Sequence, residues 1–218
     1  MFQVSLSTFR SRSQNRIDMS SSNFISTSEW NTYINSAISQ LLMLINANDA
    51  DYGLTSATVA MNGTDQFFPV PTDFSQFRGL DLNWNQRKLT VPPFSFKERN
   101  KQWSFPYAVM SPYITPYQYR LQDNKIEIIP APQSGDSFTI WYVPTATVLV
   151  NDTDTFNCNM GYDDWIVLTA CINAHDKEES DTQVLFAERK RIEDMIITEI
   201  RRLDLANATP IWISSGTY

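Results

Sequence analysis

Apolar residues recur at three- and four-residue intervals over residues 161–177, which is the period of one buried face of an α-helix. The face consists of Tyr162, Trp165, Ile166, Leu168, Thr169 and Ile172. A charged run, His175-Asp-Lys-Glu-Glu, then ends the pattern. These positions predict a helix that begins near Gly161.

A second amphipathic helix is predicted over residues 181–205. Ser180 stands three residues before Gln183, a spacing typical of a capping box. The apolar stripe contains Leu185, Ile192, Ile196, Ile200 and Leu203, and we expect Val184 and Met195 to widen it. At a rise of about 1.5 Å per residue the helix would be roughly 37 Å long. A single stripe of this length requires another surface to pack against.

The N-terminal part of the chain predicts two more helices. Residues 4–19 carry Leu6, Phe9 and Ile17 among Ser and Arg, which favours a short helix with a weak apolar face. Ser26 stands three residues before Glu29, a further capping box, and a long helix is predicted after it over residues 27–48. Its continuous face consists of Trp30, Tyr33, Ile34, Ala37, Ile38, Leu41, Leu42 and Ile45.

The middle of the chain follows a strand pattern, in which short alternations of apolar and polar residues are separated by turn residues. Three hairpins are predicted: residues 55–61 with 66–70 about Asn62-Gly63-Thr64, residues 78–84 with 88–91 about Asn85-Gln-Arg, and residues 117–122 with 125–129 about Asp123-Asn124. Residues 137–143 form the last predicted strand, alternating Phe138, Ile140 and Tyr142 against Thr139 and Trp141.

The segment between the second and third hairpins has a weaker pattern. Residues 94–103 are predicted as a short helix, and residues 105–117, with three prolines, are predicted as a loop.

Helices at both ends and strands between them predict an α+β fold rather than an alternating α/β fold. We expect a helical bundle from residues 1–52 and 155–205, with the long N-terminal helix packed against the C-terminal pair. Residues 53–154 would form a β-rich insertion, and residues 206–218 an extended C-terminal docking tail. Pro210 in this tail prevents the last helix from continuing.

Composition and charge narrow the class of protein. The net charge is −7 and no basic block dominates, so the sequence does not suggest specific nucleic-acid binding. The longest apolar run, residues 41–45, is too short to cross a bilayer, and the N-terminus lacks the shape of a signal peptide. Cys158 and Cys171 could form one bridge, but two reduced thiols in a cytosol are favoured.

The sequence lacks the residue patterns that known types of catalytic site require. A single histidine limits any Ser-His or Cys-His scheme to one partner, and six glycines offer no phosphate-binding loop. Cys171 and His175 lie four residues apart, but no further ligand spacing supports zinc. Asp163 and Asp164 are interpreted as favourable charges at a helix start. We therefore predict no catalytic, cofactor or metal site, and expect a protein that is not an enzyme.

Interaction surfaces are the remaining candidates. The groups Arg189-Lys190-Arg191 and Arg201-Arg202 are interpreted as salt-bridged surface of the last helix, with an intersubunit contact as the alternative. Aromatic residues, which are enriched at interfaces, crowd the middle of the chain, while burial in a core explains about half of them. They are Trp84, Phe94, Phe96, Trp103, Phe105, Tyr107, Tyr113, Tyr117 and Tyr119.

Six motifs, taken in chain order, carry a resemblance to a known family. They are Phe24-Ile-Ser-Thr-Ser-Glu-Trp-Asn-Thr-Tyr-Ile-Asn, Leu121-Gln-Asp-Asn-Lys-Ile-Glu-Ile-Ile-Pro-Ala-Pro, Phe138-Thr-Ile-Trp-Tyr-Val-Pro, Asp154-Thr-Phe, Gly161-Tyr-Asp-Asp-Trp-Ile-Val-Leu and Lys177-Glu-Glu-Ser-Asp. Together they resemble the head-to-tail adaptor (connector, or neck) proteins of tailed bacteriophages. The resemblance is weakest over residues 71–116.

This resemblance implies a structural virion protein made in the cytoplasm of the bacterial host and located at the head-tail junction. Copies would assemble as a ring, twelvefold, below the portal protein. The ring would extend the DNA channel, let duplex DNA pass without specific binding, and provide a platform for the tail or for a second ring of neck proteins. The candidate portal or subunit interface consists of Ile211, Trp212, Ile213 and Tyr218 in the tail, together with Arg189, Arg191, Trp103 and Tyr113.

A different class of function stays open at this point. The chain could be an accessory binding module, such as a tail-fibre attachment protein, that uses the β-rich insertion to bind a peptide or a glycan.

Overall fold

The structure, a computed structural model, describes residues 2–19, 24–49, 51–84, 87–98, 117–159 and 161–205, and for residues 84, 98 and 203–205 the backbone alone. The described residues up to Tyr52 and from Ala146 onward form one compact unit, the helical unit. Gly53–Thr145 forms a second, the strand unit.

The elements follow one another in a simple order. They are β1 (Phe2–Ser5), α1 (Leu6–Arg16), α2 (Thr27–Asn48), β2 (Thr55–Ala60), β3 (Phe67–Pro69), β4 (Phe74–Trp84), β5 (Arg87–Thr90), a 3₁₀ turn (Phe96–Glu98), β6 (Gln118–Gln122), β7 (Lys125–Ile129), β8 (Ser137–Pro144), β9 (Thr155–Cys158), α3 (Tyr162–Lys177) and α4 (Gln183–Leu205).

Helix α2 has the bounds and the cap that its sequence predicts. The Ser26 hydroxyl accepts a hydrogen bond from the Glu29 amide at 3.3 Å, and the Glu29 carboxylate accepts one from the Ser26 amide at 2.8 Å. Its apolar face is buried at Trp30, Ile34, Ala37, Ile38, Leu41 and Ile45, while Tyr33 and Leu42 are partly buried. The predicted capping box is therefore confirmed.

Helix α3 is the central helix of the helical unit. It packs against α1, α2 and α4, and every residue from Trp165 to Ile172 is buried, not only those of the predicted face. Gly161 precedes it at φ 86°, a left-handed conformation that favours glycine. The same apolar cluster includes Trp30 and Leu41 of α2 and Ile196 of α4, so the faces at the two ends of the chain share one core.

Helix α4 begins two residues later than predicted. The Asp181 carboxylate accepts a hydrogen bond from the Gln183 amide at 2.9 Å. Asp181 therefore provides the acceptor for a free amide at the start of the helix, in place of the expected Ser180–Gln183 capping box. Ile192, Ile196 and Ile200 are buried as expected, whereas Val184 and Met195 are 77% and 61% exposed. These two residues lie about 100° or more around the helix from Ile196, outside the buried stripe.

Two short strands in the helical unit were not predicted. The expected helix over residues 4–19 starts only at Leu6, because Ser5 caps it through its hydroxyl and leaves Phe2–Ser5 extended. This strand, β1, pairs antiparallel with β9, from Phe2 opposite Cys158 to Ser5 opposite Thr155. Local sequence gives no sign of a pairing between residues so far apart.

The segment that leads into β9 belongs to the helical unit. Asn35 of α2 holds it through two hydrogen bonds, donating to the Leu149 carbonyl at 2.9 Å and accepting from the Leu149 amide at 2.8 Å. The sequence placed the end of the insertion at residue 154, while the structure divides the chain after Thr145.

The strand unit contains a four-stranded sheet in the order β2-β8-β4-β5 and a three-stranded sheet in the order β3-β7-β6. The hairpins β4–β5 and β6–β7 confirm two of the three predictions, although β4 starts at Phe74 and not at residue 78. Of the helix predicted over residues 94–103, the described part holds only the 3₁₀ turn. Residues 105–116 of the predicted loop lie outside the described residues, as do turn residues 85 and 86.

The first predicted hairpin is wrong. Strand β2 pairs with β8 and β3 pairs with β7. The carbonyl of the Asn62 side chain accepts hydrogen bonds from the Thr64 and Asp65 amides, both at 3.1 Å, and so forms a local turn without a ladder. A Cβ at Gly63 would lie 2.9 Å from the Ser134 amide nitrogen, so close packing explains the glycine.

Strand β8 is the middle of the strand unit's core. Phe138, Ile140 and Tyr142 are buried as the alternation predicts, and Trp141 donates its indole hydrogen to Asp81 at 2.7 Å. Among the described residues, no helix has the length and apolar character needed to cross a membrane.

Candidate interaction surface

Two of the eight predicted interface residues lie in the described part of the chain, Arg189 and Arg191 on α4. The other six, Trp103, Tyr113, Ile211, Trp212, Ile213 and Tyr218, lie outside it.

Arg189 contacts its own unit. The central carbon of its guanidinium group lies 5.0 Å from the ring centroid of Phe186 and 5.7 Å from that of Trp165 on α3. Both distances are in the range of cation–π contacts, which favour arginine over an aromatic face. Arg189 thus holds α4 to α3, and sequence alone did not indicate this role.

Arg191 faces a groove between α1, α3 and α4 that sequence analysis did not predict. The groove has a volume of about 980 Å³. Its apolar lining comes from α3 and α4 and includes Tyr162, Val167, Leu168, Ile192, Met195, Ile196 and Ile200. Residues from three separate parts of the sequence form it, so no local motif could have indicated it.

Ion pairs connect the walls of the groove. Arg12 of α1 donates to Asp163 and to Asp164 in the first turn of α3, each at 2.7 Å. Arg16, one turn further on, donates to Glu188 of α4 at 2.5 Å. Asp163 and Asp164 lie at a helix start as predicted, and Arg12 is a partner that the sequence did not suggest. In this way α1 is fixed to both C-terminal helices.

The basic residues of α4 are partly salt-bridged, as predicted. Lys190 pairs with Glu193 at 2.7 Å and Asp194 at 3.3 Å, and Arg202 lies 3.7 Å from Glu199. Among the described residues, no ion pair involves Arg191. Of the two predicted interface arginines on α4, Arg189 and Arg191, it is Arg191 that is exposed, and it lies beside the groove.

The aromatic residues of the strand unit divide between core and surface. Phe94 and Tyr117 are buried, and Tyr119 packs against the apolar cluster that contains Tyr117. Burial therefore accounts for these three aromatic residues. Phe96 is 56% exposed and lies under the Arg120 guanidinium group, with 4.7 Å between its ring centroid and the guanidinium carbon.

The two cysteines are free and buried. Burial raises the pKa of both thiols to about 12, and the nearby Asp163 carboxylate adds to the effect at Cys158. Cys171 donates to the Ser13 carbonyl at 3.4 Å. Within the described ranges, no group of three or more His, Cys, Asp or Glu residues is placed to hold a metal ion.

Comparison with protein-family models places the chain in a class, the structural adaptor proteins of phage particles. The chain belongs to the SU10 adaptor protein family, whose model matches residues 5–210. None of the curated proteins matches it. The resemblance of the sequence motifs to phage adaptors is thereby confirmed, and the chain is a component of the phage particle.

Proposed function

We propose that this adaptor forms a ring below the portal protein, extends the DNA channel of the head, and provides a platform to which the tail or a second neck ring attaches. The observation that carries the proposal is the family match, which covers both structural units and continues to residue 210. We further propose that the fold is a helical bundle with a β-rich insertion and that the ring is twelvefold.

The chemistry of the described residues suits a structural role. The two thiols are free and buried, ion pairs connect α1 to α3 and α4, and the two cores are apolar. We include in the proposal that the protein is not an enzyme and uses no cofactor.

The C-terminal tail, residues 206–218, is proposed to dock on the portal. It follows α4 directly and carries Ile211, Trp212 and Ile213, and a tryptophan between two isoleucines has the character of an interface anchor. Trp103, Tyr113 and Tyr218 remain candidates for the same interface.

The test is assembly with the portal protein of the same phage. The full chain is mixed with purified portal, and the mass and copy number of the complex are measured. We expect a portal-bound ring of many copies, and we expect deletion of residues 208–218 to abolish it. A Ser214→Ala variant in the same tail serves as the matched control and should bind normally.

The same experiment distinguishes the proposed ring from the alternative function. A chain that stays monomeric in the presence of portal, and instead binds glycans of the host envelope, would be an accessory or tail-fibre attachment protein. That result would contradict the proposed ring.

A further inference from the structure

The turn at Asn62 and Gly63 lies on the connection between β2 and β3, which belong to the two different sheets of the strand unit. Both residues are exposed to solvent. An asparagine followed directly by a glycine has a reaction of its own, because the main-chain nitrogen of the glycine can attack the side-chain amide carbon and close a five-membered ring. The covalent chain holds these two atoms near each other, so the attack is intramolecular.

The side-chain oxygen of Asn62 is surrounded by hydrogen-bond donors. The amides of Thr64 and Asp65 each donate to Oδ1 at 3.1 Å, and the Thr64 hydroxyl donates to it at 3.3 Å. Attack on the amide carbon would place a negative charge on this oxygen. Because hydrogen bonds to a charged acceptor are stronger than those to a neutral one, the same donors stabilise the intermediate more than they stabilise the starting amide.

The attacking nitrogen is unobstructed. In the part of the chain that the structure describes, no hydrogen bond involves the Gly63 amide, so its proton is available to a base in the solvent. Gly63 also has no side chain to block the approach. It has a φ of 85°, and a Cβ there would lie 2.9 Å from the Ser134 amide nitrogen. The packing that requires glycine at this position therefore also maintains the reactive sequence.

The other end of the Asn62 amide is held as well. Its Nδ2 group donates to the Asp65 carboxylate at 2.5 Å. With Oδ1 bound to Thr64 and Asp65 and Nδ2 bound to Asp65, the plane of the amide is fixed relative to the Gly63 nitrogen. Holding the reacting groups in one geometry lowers the entropic part of the barrier.

We propose that Asn62-Gly63 is a self-modification site, at which the folded turn promotes loss of the Asn62 amide. The Gly63 nitrogen gives its proton to hydroxide and forms a bond to Cγ of Asn62. The Cγ–Nδ2 bond then breaks with its electron pair on the nitrogen, which takes a proton from water and leaves as ammonia. Water opens the cyclic imide at either carbonyl, which gives an aspartate with a normal backbone or an isoaspartyl linkage through the side chain.

Either product changes the connection between the two sheets. The new carboxylate adds one negative charge to the net −7 of the chain and lies beside the Asp65 carboxylate, so repulsion between like charges replaces a hydrogen bond. The isoaspartyl product also lengthens the backbone between β2 and β3 by one atom. The inference concerns the strand unit alone and does not depend on the proposed ring.

The test is peptide mapping of the full chain by mass spectrometry during incubation at mildly alkaline pH. We expect the Asn62 amide to be lost from the native protein at least as fast as from the protein unfolded in urea, with isoaspartate appearing at the same position. Asn124, an exposed asparagine in the β6–β7 turn, is followed by Lys125 and should stay intact over the same period.

Thr64→Val measures the contribution of the folded turn. The substitution removes the hydroxyl donor to Oδ1 and keeps the shape of the side chain. The native rate should fall by about 2- to 12-fold, the factor that corresponds to one ordinary hydrogen bond, while the rate in urea should not change. Thr58→Val, the same substitution at an exposed position of β2, is the matched control and should react like the wild type in both conditions.

Two results would overturn the proposal. A native rate several-fold below the rate in urea would show that the fold protects Asn62. Equal native rates for Thr64→Val and the wild type would show that hydrogen bonds to Oδ1 do not promote the reaction. Neither result involves portal binding, so failure here and failure of the proposed function are distinguishable.

Discussion

Glu29 connects two helices of the helical unit through one carboxylate. It accepts hydrogen bonds from the Lys177 ammonium of α3 at 2.6 Å and from the Ser26 amide at the start of α2 at 2.8 Å. The Lys177 bond first, and the Ser26 bonds after it, lower the pKa of Glu29 from 4.5 to about 2. The charged form is therefore favoured in the folded state.

Replacing this carboxylate tests the contact through pH. A carboxyl group with a lowered folded-state pKa contributes stability above its unfolded pKa, and the contribution is lost as the pH falls through the folded pKa. Glu29→Gln keeps a capping residue and removes the charge. The wild type should unfold less readily than the variant near neutral pH, and the difference should fade between about pH 4.5 and pH 2.

Glu199→Gln, which removes an exposed carboxylate on α4, is the control and should show a smaller difference. Urea unfolding at a series of pH values measures both variants. A difference for Glu29→Gln that stays unchanged down to pH 2 would contradict the assigned charge contact.

The buried thiols should not react in the native protein. Because burial raises the pKa of Cys158 and Cys171 to about 12, both are protonated at neutral pH, and the thiolate is the reactive form. A maleimide should label neither thiol until the protein is unfolded in urea. Met43→Cys provides an exposed thiol as a positive control, and rapid native labelling of Cys158 or Cys171 would refute their burial.

At the scale of elements, local signals predicted helices well and long-range strand pairing poorly. The capping box at Ser26 and the apolar face of α2 are contained in one stretch of sequence, and the structure has both. The partners of β1 and β2 lie far along the chain, at β9 and β8. Asn62-Gly63 suggested a hairpin because the same residues suit hairpin turns and other local turns.

Leu41→Ala tests whether the face of α2 is part of the shared core. Leu41 is fully buried in the cluster that includes α3 and α4, so the substitution should lower the free energy of unfolding by about 2–5 kcal/mol. Met43→Ala, at a position that is 65% exposed two residues away, should cost less than about 0.5 kcal/mol. Urea unfolding followed by circular dichroism measures both, and equal small losses would show that the face is not packed.

At the scale of the molecule, the sequence indicated the family but only part of the candidate interaction surface. Arg191 was predicted at an interface, and the structure places it beside the groove. The groove itself was missed because Arg12, Val167 and Met195 come from three helices, and only the folded chain brings them together. Residues 206–218 were predicted to be a docking tail from their composition, and this role stays a prediction.

The acidic balance of the whole chain leads to a prediction about DNA. With a net charge of −7, repeated around a ring, carboxylates that line a channel would repel phosphates and let a duplex slide. The isolated protein should therefore bind duplex DNA weakly even at low salt, where phosphate contacts are strongest. Binding titrations at several salt concentrations measure this, and a dissociation constant below about micromolar at physiological salt would contradict an acidic channel.

The most direct test of the central proposal is an electron cryomicroscopy reconstruction of the neck of the phage particle. We expect this chain to form a closed ring around the channel axis, in contact with the portal on one side and with tail or neck proteins on the other. A reconstruction that places the chain away from the axis, at the fibres, or in a single copy would contradict it.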